Sequence, residues 1–249
     1  MWWSYQDVEE QKKQVQREIA KRKKRGEKFE VLQAPAGQKK LSTTFWGQSW
    51  CRNLESYQDY ESRLPRGRSY LRQGKVYDLK IESGSLSAVV AGSELYDTRI
   101  TIQPLPKKQW QQIVKSSAGQ VGSMLDLLAG KLGDGLMKVL TDPDGGLFPK
   151  PKEIRFNCSC PDHADMCKHV SAVLYGVGVL LDTKPELLFT LRGVDQAELL
   201  SNASSAAITD LSADTGDLAG VDLSAIFGID LNMDAQPEPP AKKKRSKKG

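Results

Sequence analysis

The stretch Cys158-Ser-Cys160-Pro-Asp-His-Ala-Asp-Met-Cys167-Lys-His169 decides the fold of this chain. Three of the four cysteines of the protein fall within these twelve residues. Cysteine sulfur and histidine imidazole are the ligands of tetrahedral structural zinc sites, in which the protein fills all four positions. We therefore predict that Cys158, Cys160, Cys167 and His169 bind Zn²⁺, the ion that a soft, tetrahedral Cys₃His set favours.

The spacing of the ligands constrains the local backbone. Two cysteines separated by one residue point to opposite faces of a strand, so both reach one ion only if the strand ends or bends there. Pro161 directly follows Cys160 and suits such a stop. The second pair, Cys167 and His169, is expected at the start of a helix because apolar residues follow at helical spacing. These residues are Val170, Val173, Leu174, Val177 and Leu181.

Other interpretations of the cysteine cluster explain less. A disulfide leaves His169 without a role, and the chain shows no signal peptide. A catalytic Cys/His pair leaves two cysteines surplus. Inert buried cysteines are common singly rather than as a cluster of three. His163 is an alternative candidate for one of the four ligands, but its acidic neighbours favour a solvent-exposed loop position.

The C-x-C-x₆-C-x-H pattern of residues 158–169, after a short strand at 153–158 and before an apolar helix, resembles the SWIM-type zinc finger. Residues 44–50, 64–72 and 74–79 are also similar to bacterial proteins that contain this finger, so the resemblance extends over about residues 40–190. It implies a ββα arrangement, zinc binding and interaction with DNA or protein partners. It also implies a helicase-like ATPase as a partner, since such proteins are encoded alongside these ATPases.

The composition predicts a folded centre with solvated ends. Hydrophobic residues make up 39% of the 249 residues, which is low for a compact protein. We predict four segments along the chain. They are a basic helical extension and linker at 1–40, an α+β domain at 41–145, the zinc finger and its following helix at 146–192, and an acidic disordered tail at 193–249.

The central segment predicts an α+β fold built on a small antiparallel meander. Residues 76–103 alternate apolar and polar side chains in three short runs separated by turn residues. A preceding helix places aromatic and apolar residues on one face and is expected to cover the meander. These residues are Trp46, Trp50, Leu54 and Tyr57. Cys51, beside them, is expected to be a small buried or half-buried apolar residue. Further helices are predicted at 107–114, 121–132 and 136–140, and the finger helix is expected to pack on those at 124–140 or on the one after Pro185.

Basic residues suggest contacts to nucleic acid, with DNA favoured over RNA. Arginine forks beside an aromatic ring suit a phosphate backbone, and bases around a zinc unit are typical of a nucleic-acid surface. The candidate contact residues are Arg66, Arg68, Arg72, Lys150, Lys152, Arg155 and Lys168. The same residues are also compatible with an ordinary helix surface and with neutralisation of the site, whose formal charge with Zn²⁺ is −1.

The two ends of the chain are charged and poor in apolar residues. Residues 6–28 predict a helix that ends in the basic block 21–25, which either contacts phosphates or forms a solvated surface, and its apolar residues are too sparse for a core face. Residues 193–241 contain nine acidic residues and no Lys or Arg, and six of the last eight residues are basic. Residues 221–231 carry apolar side chains at helical spacing and predict either a docking helix or a helix packed on its own domain.

These observations predict a non-catalytic zinc-binding protein that contacts nucleic acid or a helicase-like ATPase. The alternative is a protein–protein interaction adaptor that uses the finger and residues 221–231 without binding nucleic acid. An enzyme has little support because all four zinc positions are filled by protein, which leaves no open position for a water. The chain has no run of about eighteen apolar residues, so we expect a reducing cytoplasmic location, or a nuclear one if the source cell has a nucleus.

Overall fold

The computed structural model describes residues 5–32, 34, 37, 39–57, 62–117, 123–162 and 164–199. This part of the chain confirms the predicted α+β class. Its helices are α1 (Tyr5–Lys24), α2 (Phe45–Glu55), α3 (Leu64–Arg72), α4 (Lys107–Ser116), α5 (Met124–Ala129), α6 (Asp134–Thr141), α7 (Lys168–Leu181) and α8 (Glu186–Arg192). Its strands are β1 (Val31–Leu32), β2 (Val76–Glu82), β3 (Ser85–Ala91), β4 (Leu95–Ile102) and β5 (Ile154–Cys158).

The five strands form one antiparallel sheet in the order β1-β2-β3-β4-β5. The predicted meander is present as β2, β3 and β4, and β1 extends it at one edge. At the other edge β5 pairs with β4, with Thr98 opposite Cys158 and Ile102 opposite Ile154. Among the described residues of 146–192, β5 is the only strand, and it completes the sheet of the preceding segment by pairing with β4.

Helix α7 occupies the centre of the molecule. Every residue from Val170 to Gly178 is buried, because the helix is apolar on all sides and must be covered on all of them. One side of α7 lies against the sheet, and the other side contacts α2 and α3. The sheet contributes Leu86, Val90, Ile100 and Ile102 to this core, each nearly inaccessible to solvent.

Two predicted packing partners were wrong. Helix α2 packs on α7 rather than covering the meander, and the indole nitrogen of Trp50 donates to the carbonyl of Leu174 at 2.7 Å. The main helical neighbours of α7 are α2 and α3 rather than the helices at 124–140, and the other predicted partner, the helix after Pro185, does contact α7 as α8. The reason is that only a helix without a polar face can fill the central layer, and α7 has none. The α2 residues Trp46, Trp50 and Leu54 are buried, which confirms them as core residues.

Helix α1 lies on the opposite face of the sheet. Val15 and Ile19 are buried against Phe29, Tyr77 and Ala91 in a second apolar cluster. The sequence-based expectation that α1 has no core face was therefore wrong. Two well-spaced apolar residues suffice here because they pack against Phe29 and Tyr77, whose rings lie 5.7 Å apart.

The described core continues past the predicted boundary at residue 193. Leu199 is fully buried, and the indole nitrogen of Trp110 donates to the carboxylate of Glu198 at 2.8 Å. The predicted docking helix at 221–231 and the basic C-terminus lie outside the described residues. Among the helices that the structure does describe, none has the length and hydrophobicity needed to span a bilayer.

Candidate metal centre

The first cysteine pair lies where β5 ends. Cys158 is the last residue of β5, and the chain bends at Cys160, as the spacing predicts. Ser159 holds this bend to β4, because its backbone nitrogen donates to the carbonyl of Asp97 at 3.0 Å and its hydroxyl accepts from the nitrogen of Asp97 at 3.0 Å. These two bonds let both sulfurs approach the same point.

The second pair lies at the start of α7. Cys167 is the N-cap residue, and its sulfur accepts a hydrogen bond from the nitrogen of Val170 at 3.4 Å. His169 is the second residue of the helix and is 2% exposed. This confirms the prediction that the C-x-H pair lies at a helix entrance.

The four predicted ligands converge on one point. The sulfurs of Cys158, Cys160 and Cys167 and a ring nitrogen of His169 all lie within 4.8 Å of one another. Nδ1 of His169 is 3.9 Å from the sulfur of Cys158 and 3.8 Å from that of Cys167. Ordinary Zn–S and Zn–N bond lengths give ligand separations of about 3.6–3.8 Å around a tetrahedral ion. The arrangement therefore fits a metal ion of this kind, held entirely by protein side chains.

Two tyrosines and a glycine fix the orientation of the imidazole. The ring of Tyr96 lies 4.5 Å from that of His169, and the ring of Tyr70 lies 5.4 Å away at a steep angle. A side chain on Gly92 would clash with both Tyr96 and Nε2 of His169, so only glycine fits there. Because the ring is enclosed in this way, Nδ1 points towards the sulfurs. No spacing in the sequence links these residues, so sequence reasoning missed them.

The three thiols differ in how readily they ionise. Cys167 donates a hydrogen bond to the sulfur of Cys158, which lowers the pKa of Cys158 and raises that of Cys167. Burial raises the pKa of Cys160. Adjacent thiolates repel one another, so a cation among the sulfurs is what allows all three to lose their protons.

The fourth cysteine does not belong to this group. Cys51 lies in α2, half-buried, with its sulfur close to the backbone of Gly178. Burial raises the pKa of its thiol to about 12. This agrees with the prediction that it behaves as a small apolar residue and makes it a matched control for substitutions of the ligands.

The structure distributes the predicted nucleic-acid contact residues over several surfaces. Arg68 pairs with Glu55 at 3.1 Å, and Arg72 donates to the carbonyl of Lys39, so these two arginines already have partners within the protein. Lys150 pairs with Asp144 at 3.1 Å. Three further candidates lie outside α7 and are exposed. They are Arg66, Lys152 and Arg155.

Lys168 is the predicted contact residue nearest to the metal centre. Its ammonium group lies 5.4 Å from the centre of the Tyr70 ring. The ammonium group of Lys75 also approaches this ring, at 4.4 Å from its centre. The loop between the two ligand pairs is tied to the residue before α3, since Arg63 pairs with Asp162 at 3.1 Å. His163 lies outside the described residues.

Comparison with known proteins finds one informative relative. A protein of Mycobacterium tuberculosis (strain ATCC 25618 / H37Rv), named Uncharacterized protein Rv2102, is 32% identical to this chain over 169 residues. The alignment covers 67% of this chain and 61% of that protein, so the chain spans less than two thirds of its relative's length. No family model matches the chain, and no solved structure matches it. The resemblance to the SWIM-type finger therefore rests on the ligand pattern and its surroundings alone.

Proposed function

We propose that this chain is a non-catalytic zinc-binding protein of the SWIM type that contacts nucleic acid beside its metal centre. The observation that carries the proposal is the convergence of four ligand atoms within 4.8 Å at the junction of β5 and α7. Three thiolates and an imidazole favour Zn²⁺ over harder ions, and a closed set of four ligands is typical of structural rather than catalytic zinc.

The metal centre adjoins a cluster of lysines. The ammonium group of Lys75 lies 4.4 Å from the centre of the Tyr70 ring, and that of Lys168 lies 5.4 Å from the same point. Burial lowers the pKa of Lys75, and the charges of Lys12 and Lys168 lower it further. Two lysines therefore lie around one aromatic ring, and the charge of Lys12 from α1 also acts on one of them, Lys75.

Such a cluster favours an anionic partner. Bringing like charges together costs free energy, which a phosphate between them recovers, and each lysine–phosphate contact also releases counterions from nucleic acid. The basic end of α1, where four consecutive residues from Lys21 to Lys24 are Lys or Arg, offers further phosphate contacts. DNA, and a helicase-like ATPase acting on it, are the partners that the SWIM resemblance implies.

A salt titration of nucleic-acid binding tests this proposal. Fluorescence anisotropy with matched DNA and RNA duplexes and single strands measures affinity from 25 to about 200 mM salt. We expect Lys75→Gln/Lys168→Gln to weaken binding of double-stranded DNA and to reduce the slope of log K against log salt by about 1.8, or 0.9 for each lost contact. Lys107→Gln/Lys108→Gln, which removes two exposed charges from α4, is the matched control.

The result decides between nucleic acid and protein as the main ligand. If the unaltered protein binds no nucleic acid even at the lowest salt, the proposal is wrong and the adaptor function becomes the better account. A pull-down with and without nuclease then identifies a protein partner directly. An ATPase that remains bound after nuclease treatment supports the helicase-like partner.

A further inference from the structure

A second basic site lies on the helical side of the molecule, away from the metal ligands. It is a cleft of about 230 Å³ between the 39–42 loop, α2, α3 and α7. None of the four metal ligands lines it. Its charged lining residues are Lys39, Lys40, Arg52, Arg68 and Glu55.

The charges in this cleft do not balance. Four basic side chains face one carboxylate among the described lining residues, which leaves an excess of three positive charges (4 − 1). The single carboxylate, Glu55, is already engaged: it accepts from the Tyr175 hydroxyl at 2.9 Å and lies 3.1 Å from Arg68. The remaining cations therefore have no acid within the described lining to neutralise them.

Arg68 is held in place with one donor unused. Its guanidinium carbon lies 5.3 Å from the centre of the Tyr175 ring, and its Nη2 lies 3.2 Å from the Tyr175 hydroxyl. Its Nε is buried, and no described protein atom accepts a hydrogen bond from it. A buried donor without an acceptor carries a free-energy cost. An anionic oxygen at this position would recover that cost.

In the described part of the chain, the hydrogen-bond partners of the Lys40 and Arg52 side chains are neutral groups. Lys40 donates to the amide oxygen of Gln48 at 3.4 Å, and Arg52 donates to the hydroxyl of Ser49 at 2.9 Å. Cys51, which also lines the cleft, stays a neutral thiol at physiological pH because burial raises its pKa to about 12. These contacts orient the cations without reducing their charge.

We propose that this cleft binds a small phosphate-bearing anion of about the size of pyrophosphate. Its volume of about 230 Å³ is below the usual range for whole drug-sized ligands. The planar forks of Arg52 and Arg68 suit the paired oxygens of a phosphate group, and the two lysines supply additional charge. The site is distinct from the nucleic-acid contact proposed above, because its basic residues are Lys39, Lys40, Arg52 and Arg68 rather than Lys75 and Lys168.

Titration of the zinc-loaded, full-length protein with pyrophosphate tests this inference. Isothermal calorimetry measures the affinity, and amide chemical shifts of residues 39–42 and 48–55 locate the ligand. We expect Lys40→Gln/Arg52→Gln to weaken pyrophosphate binding at least tenfold. Arg68→Lys, which keeps the charge but loses the fork and Nε, is expected to weaken it as well. Lys75→Gln/Lys168→Gln and Lys107→Gln/Lys108→Gln are expected to bind pyrophosphate as the unaltered protein does.

Separate ligands distinguish the possible sources of the phosphate. Inorganic phosphate, citrate and a short oligonucleotide are titrated in parallel, and zinc content and thermal unfolding show that each variant is folded. The proposal is overturned if millimolar pyrophosphate moves none of these amides, or if it binds the cleft variants equally well. It is also overturned if only the oligonucleotide moves them, since the cleft would then belong to a nucleic-acid surface.

Discussion

Arg192 and Glu153 form the most enclosed ion pair in the described part of the chain. The arginine side chain is fully buried, and its Nη2 lies 3.1 Å from a carboxylate oxygen of Glu153, which is itself only 14% exposed. Its Nη1 donates to the carbonyl of Gln103 at 2.7 Å. This one side chain therefore joins α8 to the end of β4 and to the turn that leads into β5.

Removing the arginine is expected to leave a buried carboxylate without its cation. We predict that Arg192→Met lowers the free energy of unfolding by about 3–5 kcal/mol, measured by urea denaturation. Lys184→Met, at an exposed site, is the control and is expected to have little effect. A loss below about 1 kcal/mol in Arg192→Met would contradict the structural role assigned to the pair.

The carboxyl group of Asp182 makes the stability of the fold depend on pH. Burial favours the neutral form of its carboxyl, but hydrogen bonds from Ser42, Thr44 and Thr43 outweigh this and lower its pKa below 3.8. A carboxyl whose pKa is lower in the folded state adds stability above its unfolded pKa, and this contribution is lost as the pH falls through the folded pKa.

We therefore expect the protein to lose stability below about pH 4. Substitution of Asp182 is expected to make this loss smaller. We predict that Asp182→Asn lowers the free energy of unfolding at pH 7 by about 2 kcal/mol, because hydrogen bonds to a charged acceptor are lost. It should also flatten the dependence of stability on pH between 5 and 2. Urea denaturation across that range measures both effects. An unchanged pH dependence would show that other carboxyls control it.

At the scale of elements, glycines let α2 and α3 approach α7 closely. Gly47 of α2 faces the carbonyl of Gly178 in α7, and Gly67 of α3 faces Ser171. A side chain at either glycine would overlap backbone atoms of α7, which cannot rotate away as a flexible side chain can. The three helices therefore pack with their backbones near one another.

We predict that Gly47→Ala destabilises the protein by about 1–3 kcal/mol, even though alanine is the better helix former. The added methyl group must displace the Ser42 hydroxyl, the Gly178 carbonyl and the Asp182 carboxylate, all of which would lie within 3 Å of it. Gly133→Ala, where nothing lies within 4 Å, is the matched control. Thermal unfolding of the two variants compares them directly. Equal stability would mean that the α2–α7 contact is looser than the structure shows.

The elements whose residues follow one simple period could be predicted from the sequence. The alternation in β2 to β4 and the helical spacing of Trp46, Trp50 and Leu54 report local burial, which depends on near neighbours in the chain. The two-residue strand β1 has no period to detect. The placement of α7 between two layers depends on contacts among distant segments, which no local pattern contains.

In the metal centre, the ligands could be predicted from the sequence, but the residues that enclose the histidine could not. All four ligands fall within residues 158–169, and thiols and imidazoles at short spacing carry a distinctive chemistry, so the set could be predicted. Tyr70, Tyr96 and Gly92, which enclose the imidazole, come from α3, β4 and the turn before it. Tyr96 and Gly92 reach His169 through the pairing of β4 with β5, and Tyr70 reaches it through the packing of α3 on α7; the sequence encodes neither contact locally.

For the molecule as a whole, the metal centre joins the sheet to its central helix. Two ligands lie at or just after the end of β5, and two lie at the start of α7. An ion bound here therefore links the edge of the sheet to the helix that fills the core. Free energy of metal binding then becomes free energy of folding. We expect loss of the ion to loosen the β5–α7 junction and with it the lysine cluster around Tyr70.

Zinc analysis by native mass spectrometry tests the central claim most directly, on the unaltered protein, Cys158→Ser and Cys51→Ser. We expect one zinc ion per chain in the unaltered protein and in Cys51→Ser. Cys158→Ser is expected to lose most of its zinc and to unfold at lower temperature, since it breaks the ligand set while leaving the control cysteine in place. A fully folded, metal-free protein, or equal zinc content in the two variants, would contradict the account.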